Sequence, residues 1–344
     1  MLAEPPQPFL NLRPKLTEHS AKTSNTSTMS ASVGGAVCVF AKCPTPGRSK
    51  TRLAPLLGED GAASLATAML SDILVSLRAC RLLEETLKVL VYAPGSSEGE
   101  VHMKSILQRL NLSVTSFDDV SALQFDAWVL LPMASGASKS DLTSSSLGSK
   151  LEDALDNTRT LLAKVHNMIA TQQTNEAVVF LGMDAPELPL EEIVHGLQTS
   201  ARNKAHMCPA DDGGYGMLSV PRNAPSSQIF RGVRWSDNLT AVSQLKSLSD
   251  CCIDISIGKM MNDVDEPDDV IRLAKRLINS RESNQVDDED DALKKFSSSI
   301  GFTMRDVDTS NACQYTWKAL FDLKVITNTS DGVCLNNSRI APER

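Results

Sequence analysis

The stretch Ala36-Val-Cys-Val-Phe-Ala41 is an unbroken apolar run of strand length, and together with the basic loop after it this run restricts the fold more than any other feature of the chain. A strand that is apolar on both faces is covered on both faces, as in parallel sheets flanked by helices. The loop reads Lys42-Cys-Pro-Thr-Pro-Gly-Arg-Ser-Lys-Thr-Arg52. From Glu59, Ala62, Leu65, Ala66, Met69, Ile73 and Leu77 recur at spacings of three and four, which lines one face of a helix. A second strand is expected from Leu87 to Tyr92. Strand, loop, helix and strand make a βαβ unit, whose crossover is right-handed. The expected class is α/β with a mostly parallel central sheet.

Beyond this unit the pattern thins, then returns. Residues 111–116 and 128–131 each read as short strands, and 135–149 as a flexible Ser- and Gly-rich connection. Leu151, Leu155, Leu161, Leu162 and Val165 predict a long helix, and Ala177 to Leu181 another buried strand. A helix from about Glu191, a short strand into Cys208, a strand from Met217 to Val220 and a helix after Pro267 complete the pattern. The domain is expected over residues 34–282. Residues 1–33 read as a disordered leader, poor in acids and rich in Ser and Thr, which is also compatible with an organelle transit peptide. Met29 is a candidate second start. Residues 283–344 read as an acidic linker, Asp287 to Asp291, and a small appendage with one helix, Gln314 to Leu323.

Composition removes several function classes. Aromatic residues make up 4% of the chain and the net charge is −8, which argues against stacking platforms and broad nucleic-acid binding. No apolar run approaches the length of a membrane span, so no membrane partner is expected. The eight cysteines are scattered without a CxxC pair, as suits reduced thiols in a cytoplasmic protein.

Four clusters carry candidate chemistry. The first loop holds Lys42, Arg48, Lys50 and Arg52, together with Pro46 and Gly47. It follows a parallel strand and leads into a helix N-terminus, the ordinary place for a phosphate. Read as extended, it turns Lys50 and Arg52 to one side. On composition alone it is equally a solvated basic loop. It is no P-loop, because Pro44 and Ser49 stand where that motif has glycine. In Gly182-Met-Asp-Ala-Pro186 the carboxylate of Asp184 ends a strand, and a hard divalent ion takes such oxygen ligands. Alternatively, Asp184 caps the next helix. Asp211-Asp212-Gly213-Gly214-Tyr215 is a carboxylate turn with two glycines, and as a bare pattern a hairpin turn. In Asn262-Asp263-Val264-Asp265, Asp263 and Asp265 share a side if the segment is extended. A near-copy, Asp306-Val-Asp308, has no helix after it and reads as a decoy. His19, His102, His166 and His195 read as surface or core residues, and His206 lies near the expected metal edge.

These motifs resemble a bacterial-type family of GT-A glycosyltransferase-like proteins. Its relatives are phospholactate guanylyltransferase and the molybdenum-cofactor nucleotidyltransferases, and some members are associated with arsenosugar biosynthesis. The opening pattern F-A-K-x-P-x-P-G-x-x-K-T-R-L-x-P is met by Phe40, Ala41, Lys42, Pro44, Pro46, Gly47, Lys50, Thr51, Arg52, Leu53 and Pro55. G-x-D-x-P-x-L is met by Gly182, Asp184, Pro186 and Leu188, and P-A-x-D-G-G-Y by Pro209, Ala210, Asp212, Gly213, Gly214 and Tyr215. W-S-T becomes Trp235, Ser236 and Asp237, and the closing D-x-D-[TS]-P-x-D is met by Asp263, Asp265, Pro267 and Asp269, with Glu266 at the hydroxyl position. The family's G-D-L-G-E-R-M is here Ser145-Ser-Leu-Gly-Ser-Lys-Leu151, which loses both acids and the arginine.

The resemblance implies a three-layer GT-A (nucleotide-diphospho-sugar transferase) fold. It implies that Asp184, Asp263 and Asp265 hold Mg²⁺ or Mn²⁺, and that Lys42, Pro46, Gly47, Arg48, Lys50, Arg52, Gly213 and Gly214 surround the phosphates. Lys50, Arg52 and Asp212 are the implied catalytic residues. The implied partners are a nucleotide sugar or a nucleoside triphosphate and a small-molecule acceptor. Sugar transfer with release of a nucleoside diphosphate, nucleotidyl transfer with release of pyrophosphate, and non-catalytic nucleotide binding are the three alternatives.

Overall fold

The computed structural model describes residues 34–117, 126–133, 147–169, 176–187, 189–283, 313–330 and 332–340. The expected leader, Leu188, the acidic run Asp287 to Asp291, the Asp306-Asp308 pair and most of the Ser-rich connection lie outside the described residues.

In chain order the elements are β1 Ala36–Lys42, α1 Ala54–Ala79, β2 Leu87–Ala93, α2 Ser97–Arg109, β3 Val114–Ser116, β4 Trp128–Pro132, α3 Leu147–Ile169 and β5 Val178–Gly182. They continue as α4 Leu190–Ser200, β6 Ala205–Pro209, β7 Tyr215–Val220, α5 Ser226–Ile229, α6 Thr240–Asp250, β8 Ile255–Ile257 and α7 Pro267–Ser283. The last are α8 Gln314–Asp322, β9 Ile326–Thr329, β10 Gly332–Leu335 and α9 Asn337–Ile340.

One eight-stranded sheet has the order β3-β4-β2-β1-β5-β7-β6-β8. Every pairing is parallel except the two made by β7, which runs antiparallel to β5 and β6. Alternate residues of β1 serve opposite faces, as the pleat requires. Val37, Val39 and Ala41 pack with residues of α1, α2 and α4. Ala36 and Cys38 pack with residues of α3, α5 and α6. These are three layers, helices on both sides of a mostly parallel sheet. β1 pairs with β2 on one side and β5 on the other, so the chain leaves β1 in one direction and later returns to its other flank. That point of reversal, at the carboxyl ends of the strands, is where open α/β sheets bind ligands.

α1 departs from the expectation of one apolar face. Leu70, Ile73, Leu74 and Leu77 face the sheet. Leu57, Ala62, Leu65 and Met69 face a third cluster with Leu273 and Leu277 of α7 and Leu320 of α8. A helix that is apolar nearly all round is one that is buried nearly all round. By length and composition alone α1 would suffice to cross a membrane, and its burial between two layers accounts for that character. The helix opens at Ala54 and is interrupted at Gly58, at φ 74° and ψ 167°. Regular turns resume where the sequence pattern predicts the start.

Residues 313–330 and 332–335, expected as part of an appendage, pack on this outer face. Cys313, Leu320, Val325 and Ile326 are buried in the third cluster. The buried carboxylate of Asp72 accepts the Tyr315 and Thr316 amides at 2.9 and 2.7 Å, satisfying the free N–H groups at the start of α8. The described residues cluster as one unit.

Candidate active site

The loop after β1 begins bonded to the neighbouring strand, with the Cys43 amide donating to the Ala93 carbonyl at 2.7 Å. It then turns back on itself, the amides of Arg48 and Ser49 both donating to the Thr45 carbonyl at 3.0 Å. Gly47 has φ 68°, and a Cβ there would press on the Glu59 carboxylate at 3.0 Å. Lys50 is also left-handed, at φ 50° and ψ 43°. For a residue with a Cβ this costs roughly 1–2 kcal/mol, so the surrounding contacts must hold it. The conformation turns Lys50 inward: its side chain is 8% exposed, against 71% for Arg52.

The Lys50 ammonium lies 2.5 Å from Asp184 Oδ1 and 2.5 Å from Asp265 Oδ1. Burial draws its pKa down, but the two carboxylates outweigh that and hold it above the ordinary lysine value. Thr51 to Leu53 form a single 3-10 turn. The expectation of an extended loop with Lys50 and Arg52 facing one way is therefore corrected. The left-handed residue and the turn after it separate them, and Arg52 meets Glu266 at 3.2 Å on the surface.

The carboxylates converge through backbone bonds. Asp184 follows the carboxyl end of β5, and its carbonyl accepts the Val264 amide at 3.0 Å. Val264 is fully buried, while Asp263 and Asp265 on either side of it line the cleft. The Asp269 carboxylate reaches back to the amides of Asp265 and Glu266 at 3.0 and 2.7 Å, capping α7 and fixing the segment. The turn from β6 to β7 supplies Asp212, whose Oδ1 accepts the Gly214 amide at 2.7 Å. At Gly213, φ is 87° and a Cβ would collide with the Asn238 carbonyl, so the turn admits only glycine there. Asp263 is pushed up to about 6, first by burial and then by the charges of Asp212, Asp265 and Asp211.

These residues border an open cleft of about 1350 Å³ at the carboxyl ends of the strands. Of the expected phosphate ligands, Lys42, Arg48, Lys50, Arg52 and Gly214 line it, whereas Pro46, Gly47 and Gly213 shape turns behind the lining. Asp184, Asp212, Asp263 and Asp265 share it. Sequence reasoning missed Glu98 and His102, which enter from α2. The signal lay in the second βα connection, which ends at the same sheet edge, with Ser96 capping α2 through the Gly99 amide. His206 is buried on β6 and does not line the cleft.

The donor set fits a hard divalent cation. Two carboxylates, Asp184 and Asp265, meet one ammonium, and beside them Asp263 is pushed up first by burial and then by its acidic neighbours. The Lys50 ammonium shows that a cation is accommodated between Asp184 and Asp265. Oxygen-only ligands of this kind suit Mg²⁺ or Mn²⁺.

Residues 110–237 match the family described as "Uncharacterized protein conserved in bacteria (DUF2064)". The match includes Asp184 and Asp212 but neither the basic loop nor Asp263 and Asp265. No curated protein matches the chain in sequence. Among solved structures, the chain is similar to a "putative nucleotide-diphospho-sugar transferase" from Desulfovibrio desulfuricans G20, with 22% identity and TM-score 0.54 over 78% of this chain and 96% of that one. A cytidylyltransferase from Leptospira borgpetersenii aligns at 11% identity and TM-score 0.39, over 70% of this chain and 85% of that one. The first likeness establishes that this chain has the nucleotide-diphospho-sugar transferase fold.

Proposed function

We propose that this protein is a metal-dependent transferase that moves a sugar from a nucleotide-diphosphate donor to a small-molecule acceptor. The observation that carries the reading is the meeting of Lys50 with Asp184 and Asp265 at the sheet's reversal point. The name of the Desulfovibrio protein of the same fold favours sugar transfer over nucleotidyl transfer.

In this reading Asp184, Asp263 and Asp265 hold Mg²⁺ or Mn²⁺, which when bound neutralises charge on the departing diphosphate. Lys42, Arg48 and Arg52 meet the phosphates from the rim. Lys50 is held close to the same place, so its charge is already positioned when phosphate arrives. Asp212, exposed at the opposite turn, is the candidate base for the acceptor hydroxyl. The chain contributes chiefly position and electrostatics.

The test is incubation with nucleotide sugars and candidate acceptors, with and without Mn²⁺, followed by identification of the leaving group. Metal-dependent release of a nucleoside diphosphate supports the proposal. Release of pyrophosphate from a nucleoside triphosphate assigns the cleft to nucleotidyl transfer instead.

A further inference from the structure

A second cluster of metal-binding side-chain types sits on the sheet face covered by α4, outside the lining of the cleft. Glu192 comes from the first turn of α4. His206 and Cys208 come from β6, two positions apart and so on one face of the strand. All three are buried. One donor atom from each lies within 4.8 Å of the others. His206 Nε2 is 2.7 Å from Glu192 Oε2, and Cys208 Sγ is 3.8 Å from the same oxygen.

Two features around the cluster are those of a built site. His206 Nδ1 lies 2.9 Å from Ser256 Oγ, which fixes the ring with Nε2 toward the other donors. A hydrogen-bonded partner on the far nitrogen is the usual arrangement of a metal-binding histidine. Glycine at position 258 lets the backbone pack closely over all three donors at once. A Cβ there would stand 2.7 Å from His206 Nε2 and 2.8 Å from Cys208 Sγ, and closer still to Glu192 Oε2. Zinc sits about 2.0–2.3 Å from such nitrogen, oxygen and sulfur ligands, and donor atoms within 4.8 Å of one another need only a small contraction to share one ion. Gly258 is held over the cluster by its amide bond to the Met207 carbonyl at 2.8 Å. Lys259 and Met260 beside it are exposed, and the Lys259 amide donates to Glu192 Oε1 at 3.2 Å, which leaves Oε2 toward the other donors.

We propose that Glu192 Oε2, His206 Nε2 and Cys208 Sγ bind a zinc ion beside Gly258, with water as the fourth ligand. The mixed nitrogen, sulfur and oxygen set selects zinc over Mg²⁺ or Mn²⁺, which prefer oxygen alone. The ion takes the place of the direct His206–Glu192 hydrogen bond. Its role is to tie α4 to β6, the strand that leads into the Asp211–Asp212 turn of the cleft. Cys208 lies just ahead of Asp211 and Asp212. Gly258 leads to Met261, whose amide bonds to the Pro209 carbonyl at 2.8 Å just before Asp263. The site is independent of the reaction proposed for the cleft.

The experiment is titration of the metal-free full chain with Co²⁺, followed in the near ultraviolet for the thiolate-to-cobalt charge-transfer band, with Zn²⁺ as competitor. The cleft carboxylates cannot produce that band. The expected result is one equivalent of thiolate-bound cobalt, displaced by Zn²⁺, retained in Asp263→Asn and in Cys252→Ala, and lost in Cys208→Ala. Ser256→Ala should weaken Zn²⁺ by about 10- to 100-fold through the freed histidine ring. Absence of the band from the wild-type chain, or its survival in Cys208→Ala, overturns the proposal. If Cys208→Ala fails to fold, Cys208→Ser serves in its place, and survival of the band there equally overturns the proposal.

Discussion

The Lys50 ammonium lies 2.5 Å from the carboxylate of Asp265, 215 positions along the chain. A buried ion pair is weak support for stability as such, because desolvation offsets much of the attraction. Removing one partner is different, since it leaves like charges facing one another. Lys50→Met should lower the thermal midpoint of the metal-free protein, by an amount worth about 1–3 kcal/mol given the partial exposure of both aspartates. Added Mn²⁺ should stabilise this variant more than it stabilises the wild type, because the ion replaces the missing charge. Differential scanning calorimetry with and without Mn²⁺ checks this, and equal metal responses would speak against a shared cation position.

Asp263 gives a pH dependence whose sign is opposite to that of a salt-bridged carboxylate. Its folded pKa is about 6, against 3.8 for the ordinary side chain. The folded state therefore binds the proton more tightly than the unfolded state, and between these values stability falls as pH rises. Above about pH 6 the ionised group destabilises the metal-free fold. Asp263→Asn should thus raise the midpoint of the metal-free protein at pH 7.5, make little difference at pH 4, and abolish the gain on adding Mn²⁺. Thermal scans at the two pH values test the first two claims, and a lower midpoint for Asp263→Asn at pH 7.5 would contradict them.

Arg52 separates binding from stability. Its pair with Glu266 is exposed on both sides, and such pairs contribute about 0–1 kcal/mol. Arg52→Ala should leave the midpoint nearly unchanged while weakening nucleoside diphosphates about ten- to a hundredfold, the loss of one charged hydrogen bond. Calorimetric titration should show free nucleoside unaffected. Equal diphosphate binding by both proteins would place Arg52 outside the phosphate site.

The C-terminal residues test the core. Deletion after Ser283 strips Leu57, Leu65 and Met69 of α1 of their α8 contacts. The shortened chain should be insoluble or show a broad, weakly cooperative transition. Asp72→Ala, which removes two bonds to the start of α8, should cost about 2–3 kcal/mol in the intact chain. A soluble shortened chain with wild-type stability would refute this.

Strands β1 and β5 were legible because burial on both faces leaves a continuous apolar run, and β2 because only the buried Lys88 interrupts its own. Helices α3, α4 and α7 were legible from their spacing, but α2, α6 and β8 were missed. α2 follows a Gly- and Ser-rich turn, α6 carries a mixed pattern, and β8 has three residues, held by its parallel bond to β6. The second role of α1 was hidden because α8, which covers it, lies more than 200 positions away. The carboxylates Asp184, Asp263 and Asp265 were legible as candidates, since each stands in an acidic turn beside an apolar residue. The inward turn of Lys50 was not, since only the folded loop requires a left-handed backbone there. Glu192 and Cys208 each read as an ordinary helix or strand residue until α4 packs on β6.

Calorimetric titration of a nucleoside diphosphate into wild type and Asp184→Asn, with and without Mn²⁺, separates a metal-dependent phosphate site from a metal-independent one. The account predicts binding by the wild type that strengthens at least tenfold with Mn²⁺, and loss of that gain in a folded Asp184→Asn protein. Binding that ignores the metal, or an Asp184→Asn variant that responds to Mn²⁺ as the wild type does, would contradict it.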